Sequence, residues 1–190
     1  MFSIFCQNMG SPLGDNDLKT PEMKRYLFEA LISHNPDLLF LQELDNITET
    51  SSVSEKYCFE SKKNLGILFK KNKFKKINEL TFETNEFSLD RILCVELEDT
   101  IQKMRILCIC VHAPLRNHAT GGIWHHKKTK FLKHVESILE NKIYQNKYDA
   151  IILAGDFNCN FYIQCKDGRT LLNSKKNVFL LIDTSHFGPK

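Results

Sequence analysis

The chain has 190 residues, 42% of them hydrophobic, and a formal net charge of +3 at pH 7. That length exceeds the usual size of a single domain but falls short of two, so one domain over 1–190 with one filled core is expected. So small a net charge excludes a global field that would by itself compel nucleic-acid binding.

In chain order, residues 2–8 read as a strand that ends in Asn8. Met23, Leu27, Ala30 and Leu31 fall on one stripe of an amphipathic helix over Pro21–Ser33. Thr20 can cap it, with Pro21 at the first helical position. His34, at the end of that helix, reads as structural because a cation there suits the dipole. Pro36 introduces a short apolar strand that ends in Gln42-Glu43. Residues 57–60, 65–70, 76–83, 91–97 and 104–111 read as strands of an antiparallel meander, the last leading into His112. A second helix is expected over 124–143, with Phe131, Leu132, Val135, Ile138 and Leu139 as its core stripe. The run Ile151-Ile152-Leu153-Ala154 then stops on Gly155-Asp156-Phe157-Asn158. Gly10, Gly14, Gly121 and Gly122 mark loops, and neither a repeat nor a low-complexity linker interrupts the chain. Seven cysteines without framework spacing, Cys94, Cys108 and Cys110 among them inside apolar runs, predict reduced thiols in an intracellular protein, cytoplasmic or nuclear. Residues 2–6 are too few for a signal peptide, and no apolar run approaches a membrane span, so no membrane partner is expected.

The ends of these strands carry the chemistry. An apolar strand delivers its last side chains to the edge of a core, so Asp156 and Asn158, two residues apart, are expected to point the same way at its mouth. Ordinary turn chemistry is the alternative, since Gly-Asp and Phe-Asn also make turns. Two buried parallel strands that end in Glu43 and Asp156 suit a shared site at their carboxyl ends. With Asn8 and His112 added, the inventory is hard oxygen ligands for a hydrated divalent cation and an imidazole that titrates near neutral pH. His112 could instead cap its sheet, although Pro114 and Arg116 after it make a loop rather than a core. Arg91 can contact a phosphate or form an ion pair with Asp90 or Glu86. Two lysine-rich stretches, Lys62 to Lys76 and His125 to Lys133, are ordinarily solvated faces, yet either would attract a polyanion. Adjacent on a helix, His125 and His126 do not face one ligand position, and no zinc site is expected there.

Five short pieces occur in a telling order: the strand ending in Asn8, LLFLQE at 38–43, LGILFKK at 65–71, CICVHAP at 108–114 and ILAGDFN at 152–158. Together they resemble the endonuclease/exonuclease/phosphatase superfamily, which contains deoxyribonuclease I, abasic-site endonucleases and the endonucleases of non-LTR retrotransposons. The resemblance implies a two-sheet α/β sandwich and cleavage of phosphodiester or phosphomonoester bonds with Mg²⁺ or Mn²⁺. By motif position it implies that Glu43 binds the metal and that Asn8 is a metal or phosphate neighbour. It further implies that His112 faces the scissile phosphate, Asp156 orients or activates the nucleophile, and Asn158 contacts the phosphate.

The sequence departs from that pattern late. Members close the second sheet with a Ser-Asp-His-like motif, whereas here Asp183-Thr184-Ser185-His186-Phe187 has Ser185 where the aspartate belongs. Either His186 is the terminal catalytic histidine of a shortened domain, or residues 171–189 resemble the strand that follows GDFN in retrotransposon-type endonucleases, well before the true terminal motif. The short stretch between Asn158 and His186 favours the second, since several strands must normally fit there. A sandwich without its last strands would leave an edge for further chain or a partner to cover. The first expectation for function is a metal-dependent phosphodiesterase, an endonuclease on DNA or RNA. The alternatives are an inactive fold that binds nucleic acid or protein, and a small-molecule phosphatase.

Overall fold

The computed structural model describes residues 2–10, 20–44, 51–80, 89–114, 123–144, 147–158 and 178–183. Among them the order of elements is β1 (Ile4–Asn8), α1 (Pro21–Ser33), β2 (Leu38–Gln42), α2 (Ser51–Lys56), β3 (Tyr57–Lys62), β4 (Leu65–Lys70), β5 (Phe74–Leu80), β6 (Ile92–Asp99), β7 (Arg105–His112), α3 (Ile123–Tyr144), β8 (Ala150–Asp156) and β9 (Val178–Asp183). The strands make a four-stranded sheet in the order β1-β2-β4-β3 and a five-stranded sheet in the order β5-β6-β7-β8-β9. Both are mixed: β1 and β2 are parallel, as are β7, β8 and β9, and the remaining pairings are antiparallel.

Strand alternation explains the layering. Leu38 and Phe40 on β2 point into a core shared with Val95, Ile106, Cys108 and Ile152 of the other sheet. Their neighbours Leu39 and Leu41 point outward, where Phe28 of α1 covers them. On the far side Leu107, Ile109 and Ile151 pack beneath Phe131, Val135, Ile138 and Leu139 of α3. The result is a sheet-on-sheet sandwich with a helix layer on each outer face, and each side-chain set follows from a period of 2 or 3.6. The two-sheet α/β sandwich expected from the sequence is the fold observed.

The expected single meander is corrected. β3 and β4 are a hairpin of the first sheet, while β5, β6 and β7 form a meander of the second. Between them, residues 71–73 carry the chain from one sheet to the other, with Lys73 N–H bonded back to Lys70 O and Thr100 N–H bonded to Lys73 O. Periodicity identifies strands but not their partners, so this crossing left no mark on the pattern. The stripe of α1 is corrected at its start: Leu27 and Leu31 do pack against the core, but Met23 is 40% exposed, and the fully buried positions are Lys24 and Phe28. Thr20 does cap the helix, accepting from Met23 N–H at 3.3 Å. The short helix α2 has no counterpart among the sequence-based expectations.

Candidate functional site at the carboxyl ends of four strands

Parallel pairing puts strand ends together. Asn8 on β1 is in register with Gln42 on β2, and His112 on β7 with Asp156 on β8. Because the two sheets face each other, Asn8 and Glu43 of one meet His112 and Asp156 of the other. Ligand atoms of Glu43, His112 and Asp156 all lie within 4.8 Å of one another. The carboxylates therefore lie close together, though not as neighbouring strands of one sheet: they project from opposite layers of the sandwich.

Asn8 joins the halves. Its Nδ2 donates to Glu43 Oε1 at 3.1 Å and to Asp156 Oδ2 at 2.8 Å, while its Oδ1 accepts from Gly10 N–H at 2.8 Å. Fixed in this way, the side chain turns its donor, not its oxygen, toward the carboxylates. His112 Nε2 stands 3.5 Å from Glu43 Oε1. One layer below, Gln42 Nε2 donates to Cys110 Sγ at 3.3 Å, and Cys110 Sγ donates to Leu41 O at 3.4 Å. Burial pushes the Cys110 thiol up to about 12, so it remains the protonated donor that this bridge needs. Among the described residues Cys6, Cys58, Cys94, Cys108 and Cys110 are all free thiols.

Glu43 and Asp156 reach the site by different local devices. Glu43 follows the last residue of β2 with φ at 56°, a left-handed value uncommon outside glycine. Its carboxylate fills space that Gly10 leaves: a Cβ added at Gly10 would sit 1.4 Å from Glu43 Oε2. Asp156 is 7% exposed and ends β8 beside Gly155, where φ is 155° and an added Cβ would lie 2.0 Å from Val111 O. Glycine is thus needed one residue before the acid, to let β8 approach β7.

Asn158 departs from expectation. The strand stops at Asp156, and Asn158 has φ at 48° with its N–H donating to Asp156 Oδ1 at 2.8 Å. That Asx-type turn folds the side chain back so that Nδ2 donates to Ala113 O at 2.7 Å. Asn158 and Asp156 are therefore not two side chains on one strand face. The turn reading of the segment is the one observed, with Asp156 both accepting from the turn and lying beside Glu43 and His112.

Arg91, in a single 3-10 turn just before β6, donates Nη1 to His112 O at 3.1 Å, and Asp90 pairs instead with Lys63. Arg91 therefore lies beside the site and braces the histidine's main chain. Glu86 and His186 lie outside the described residues. β9, parallel to β8, brings Asp183 into register with Gly155 at the edge of the second sheet.

Most of the lysine-rich hairpin is placed away from these groups. Lys70 Nζ and Lys73 Nζ each lie 2.8 Å from the Asp37 carboxylate, at the start of β2 and hence at the opposite end of the sandwich. Lys76 pairs with Glu60 and Glu79, and Lys71 bonds Ser54 O. Lys62 and Lys63, beside the β3–β4 turn, are at the site's end. The sequence reading missed two residues that shape the site, Gly10 and Lys24. Gly10 carried only a loop signal, and Lys24 was one of the charges between the apolar positions of α1.

No family's sequence profile matches the chain, and no curated protein matches it. Solved structures do. A humanized D. rerio TDP2 carrying 14 mutations aligns with TM-score 0.67 at 20% identity, over 90% of this chain and 68% of that one. D. rerio TDP2 complexed with a single-strand DNA product aligns with TM-score 0.58 at 23% identity, over 84% and 61%. ANGEL2, a 2′,3′-cyclic phosphatase in complex with adenosine-2′,3′-vanadate, aligns with TM-score 0.59 at 20% identity, over 83% and 53%. The chain thus spans between 53% and 68% of the length of these structures. They belong to the endonuclease/exonuclease/phosphatase superfamily, and this chain shares its deoxyribonuclease I-like fold. No helix among the described residues is long and apolar enough to cross a membrane.

Proposed function

On this deoxyribonuclease I-like fold, we propose a divalent-metal-dependent phosphodiesterase that hydrolyses the backbone of DNA or RNA at the site formed by Asn8, Glu43, His112 and Asp156. The observation that carries the proposal is the convergence of two carboxylates and an imidazole, from facing sheets, within 4.8 Å. Two carboxylates so close repel each other, and a cation between them removes that cost. The donor set of hard oxygens with one nitrogen fits Mg²⁺ or Mn²⁺, held by Glu43 and Asp156. When bound, such an ion neutralises the phosphate and the leaving oxygen.

The chain's own groups do the rest. Asp156, nearly buried and held by Asn8 and by the Asn158 N–H, presents a fixed acceptor to orient an attacking water in line with the leaving group. His112 faces Glu43 across the gap and donates to a phosphate oxygen as charge develops there. Asn8 bonds both carboxylates, Arg91 bonds His112 O and Asn158 bonds Ala113 O, and their donors can meet a phosphate that displaces these partners. Nucleic acid is supported as substrate by the single-strand DNA product bound to D. rerio TDP2 and the adenosine-2′,3′-vanadate bound to ANGEL2.

End-labelled single- and double-stranded DNA and RNA, incubated with the chain and Mg²⁺ or Mn²⁺, test the proposal. Cleavage that stops on chelation and is lost in Asp156→Ala is expected. Cleavage that survives either change would sink the mechanism, and binding without cleavage would favour the inactive binding module.

A further inference from the structure

We infer that Lys24 is a positioning residue for Glu43, fixing the metal-binding carboxylate through its main chain; this rests on the metal site proposed above. Lys24 is 6% exposed on the inner face of α1, one turn before Phe28. Its Nζ donates to Glu43 O at 3.0 Å.

Nothing about helix packing asks for a lysine there. Lysine is among the residues least often buried, and an apolar side chain would continue the stripe begun by Phe28. Near the start of a helix its charge also faces the positive end of the dipole. Both effects oppose folding, so the position is explained by what the ammonium holds. Glu43 adopts φ of 56°, and the groups on either side of its carbonyl are already fixed. Gln42 O accepts from Met9 N–H at 2.8 Å, and Leu44 N–H donates to Asn64 O at 3.2 Å. Lys24 takes the carbonyl between them. With the main chain held on all three groups, the carboxylate emerges between Gly10 and Asn8 and points at Asp156. An ammonium bonded to a carbonyl is a charge-assisted hydrogen bond, stronger than a neutral donor would give.

The sign of the effect separates positioning from charge. A positive group near a cation site repels the cation, so removing it for electrostatic reasons alone would tighten metal binding. Loss of positioning would weaken it.

Mn²⁺ titration followed by electron paramagnetic resonance, with thermal melting alongside, compares the wild-type chain with Lys24→Met, Lys24→Arg and Glu43→Gln. Glu43→Gln should lose binding. Lys24→Met should bind Mn²⁺ roughly 10-fold more weakly, as outer partners of metal ligands typically do when removed, with a melting temperature not lowered in proportion. Lys24→Arg, which keeps a charged donor, should retain most of the affinity. Unchanged or tighter binding in Lys24→Met overturns the inference. If Lys24→Met does not fold, Lys24→Gln, with a shorter reach, carries the same comparison. Should wild type and Glu43→Gln bind alike, the metal site itself fails and the inference fails with it.

Discussion

The two ends of the sandwich use buried carboxylates in opposite ways. At the start of β2, Asp37 receives two ammonium groups, Lys70 and Lys73, and also accepts from Ser3 N–H at 2.9 Å. Burial would raise that carboxyl, but the two lysine hydrogen bonds outweigh it and hold it well below the usual carboxylate range. At the other end, two carboxylates are joined by one amide and approached by one imidazole. One end is charge-satisfied and ties the first sheet to the crossing at 71–73; the other brings two carboxylates together with no ammonium between them among the described residues. An acid at the end of a strand can thus be a staple or part of a site, and the partners brought to it decide which: Lys70 of its own sheet and Lys73 of the crossing for Asp37, His112 of the facing sheet for Glu43.

The largest effect should come from treating the two acids alike. Asp156→Asn is expected to lower hydrolysis on the order of 10²–10⁴-fold, the usual contribution of a positioned acid or base, without lowering the melting temperature. Asp37→Asn should leave the turnover of folded protein near wild type. Equal losses in both, measured as kcat on folded protein, would erase the distinction between the two ends.

Asp37→Ala should next cost stability. Breaking a buried ion pair typically costs 3–5 kcal/mol, and roughly 2–3 kcal/mol is expected here because Lys73 keeps contact with water. The pH dependence has a definite sign. Since the folded carboxyl lies below its ordinary value of 3.8, the folded state binds fewer protons than the unfolded one at acid pH. The contribution is present above about pH 4 and is lost as pH falls through the folded value. Urea titrations should therefore show a shallower acid loss of stability in Asp37→Asn than in wild type. Parallel acid limbs would deny the staple its role.

Gly10→Ala probes the site's end without touching a charge. An added methyl cannot occupy the place of Glu43 Oε2 and would also press on Glu43 Cβ, 2.9 Å away, so the carboxylate must swing off Asp156. Metal affinity should fall by about 10-fold while unfolding stability changes little, a magnitude taken from displaced outer-shell groups. Affinity equal to wild type would mean that the carboxylate has another place from which to bind.

Much of this was legible from one sequence because it rests on short periods. The strands ending in Asn8, Glu43, His112 and Asp156, the helix α1 and the long helix α3 all follow from apolar spacing. Glu43 with Asp156 could be paired because both terminate apolar runs. What the sequence hid depends on contacts between distant segments. The passage of residues 71–73 between sheets leaves alternation intact on either side, so hairpin and meander look continuous. The turn that takes Asn158 off the strand requires a left-handed residue that its sequence permits but does not demand. Lys24 lies off the stripe expected for α1, and its burial becomes visible only when the fold brings it to a carbonyl nineteen residues away.

The smallest effect concerns the lysines, where composition and placement point in different directions. A dense basic run suggests a polyanion footprint, and each phosphate that a variant no longer neutralises should reduce the log–log salt slope of binding by roughly 0.7 to 0.9. In the structure, however, Lys70 and Lys73 are committed to Asp37 and Lys76 to Glu60 and Glu79, and the Asp37 pair lies across the sandwich from His112 and Asp156. Lys62 and Lys63 are at the correct end, and the exposed Lys63–Asp90 pair contributes little that a phosphate could not replace. Salt titrations of oligonucleotide binding should therefore separate two double variants. Replacing Lys71 and Lys75, both exposed on the distant side, is expected to leave the slope unchanged. Replacing Lys62 and Lys63 should reduce it by the share of up to about two phosphates. The reverse result would move the nucleic-acid path to the far end of the sandwich, away from the paired carboxylates, and would separate binding from the proposed chemistry.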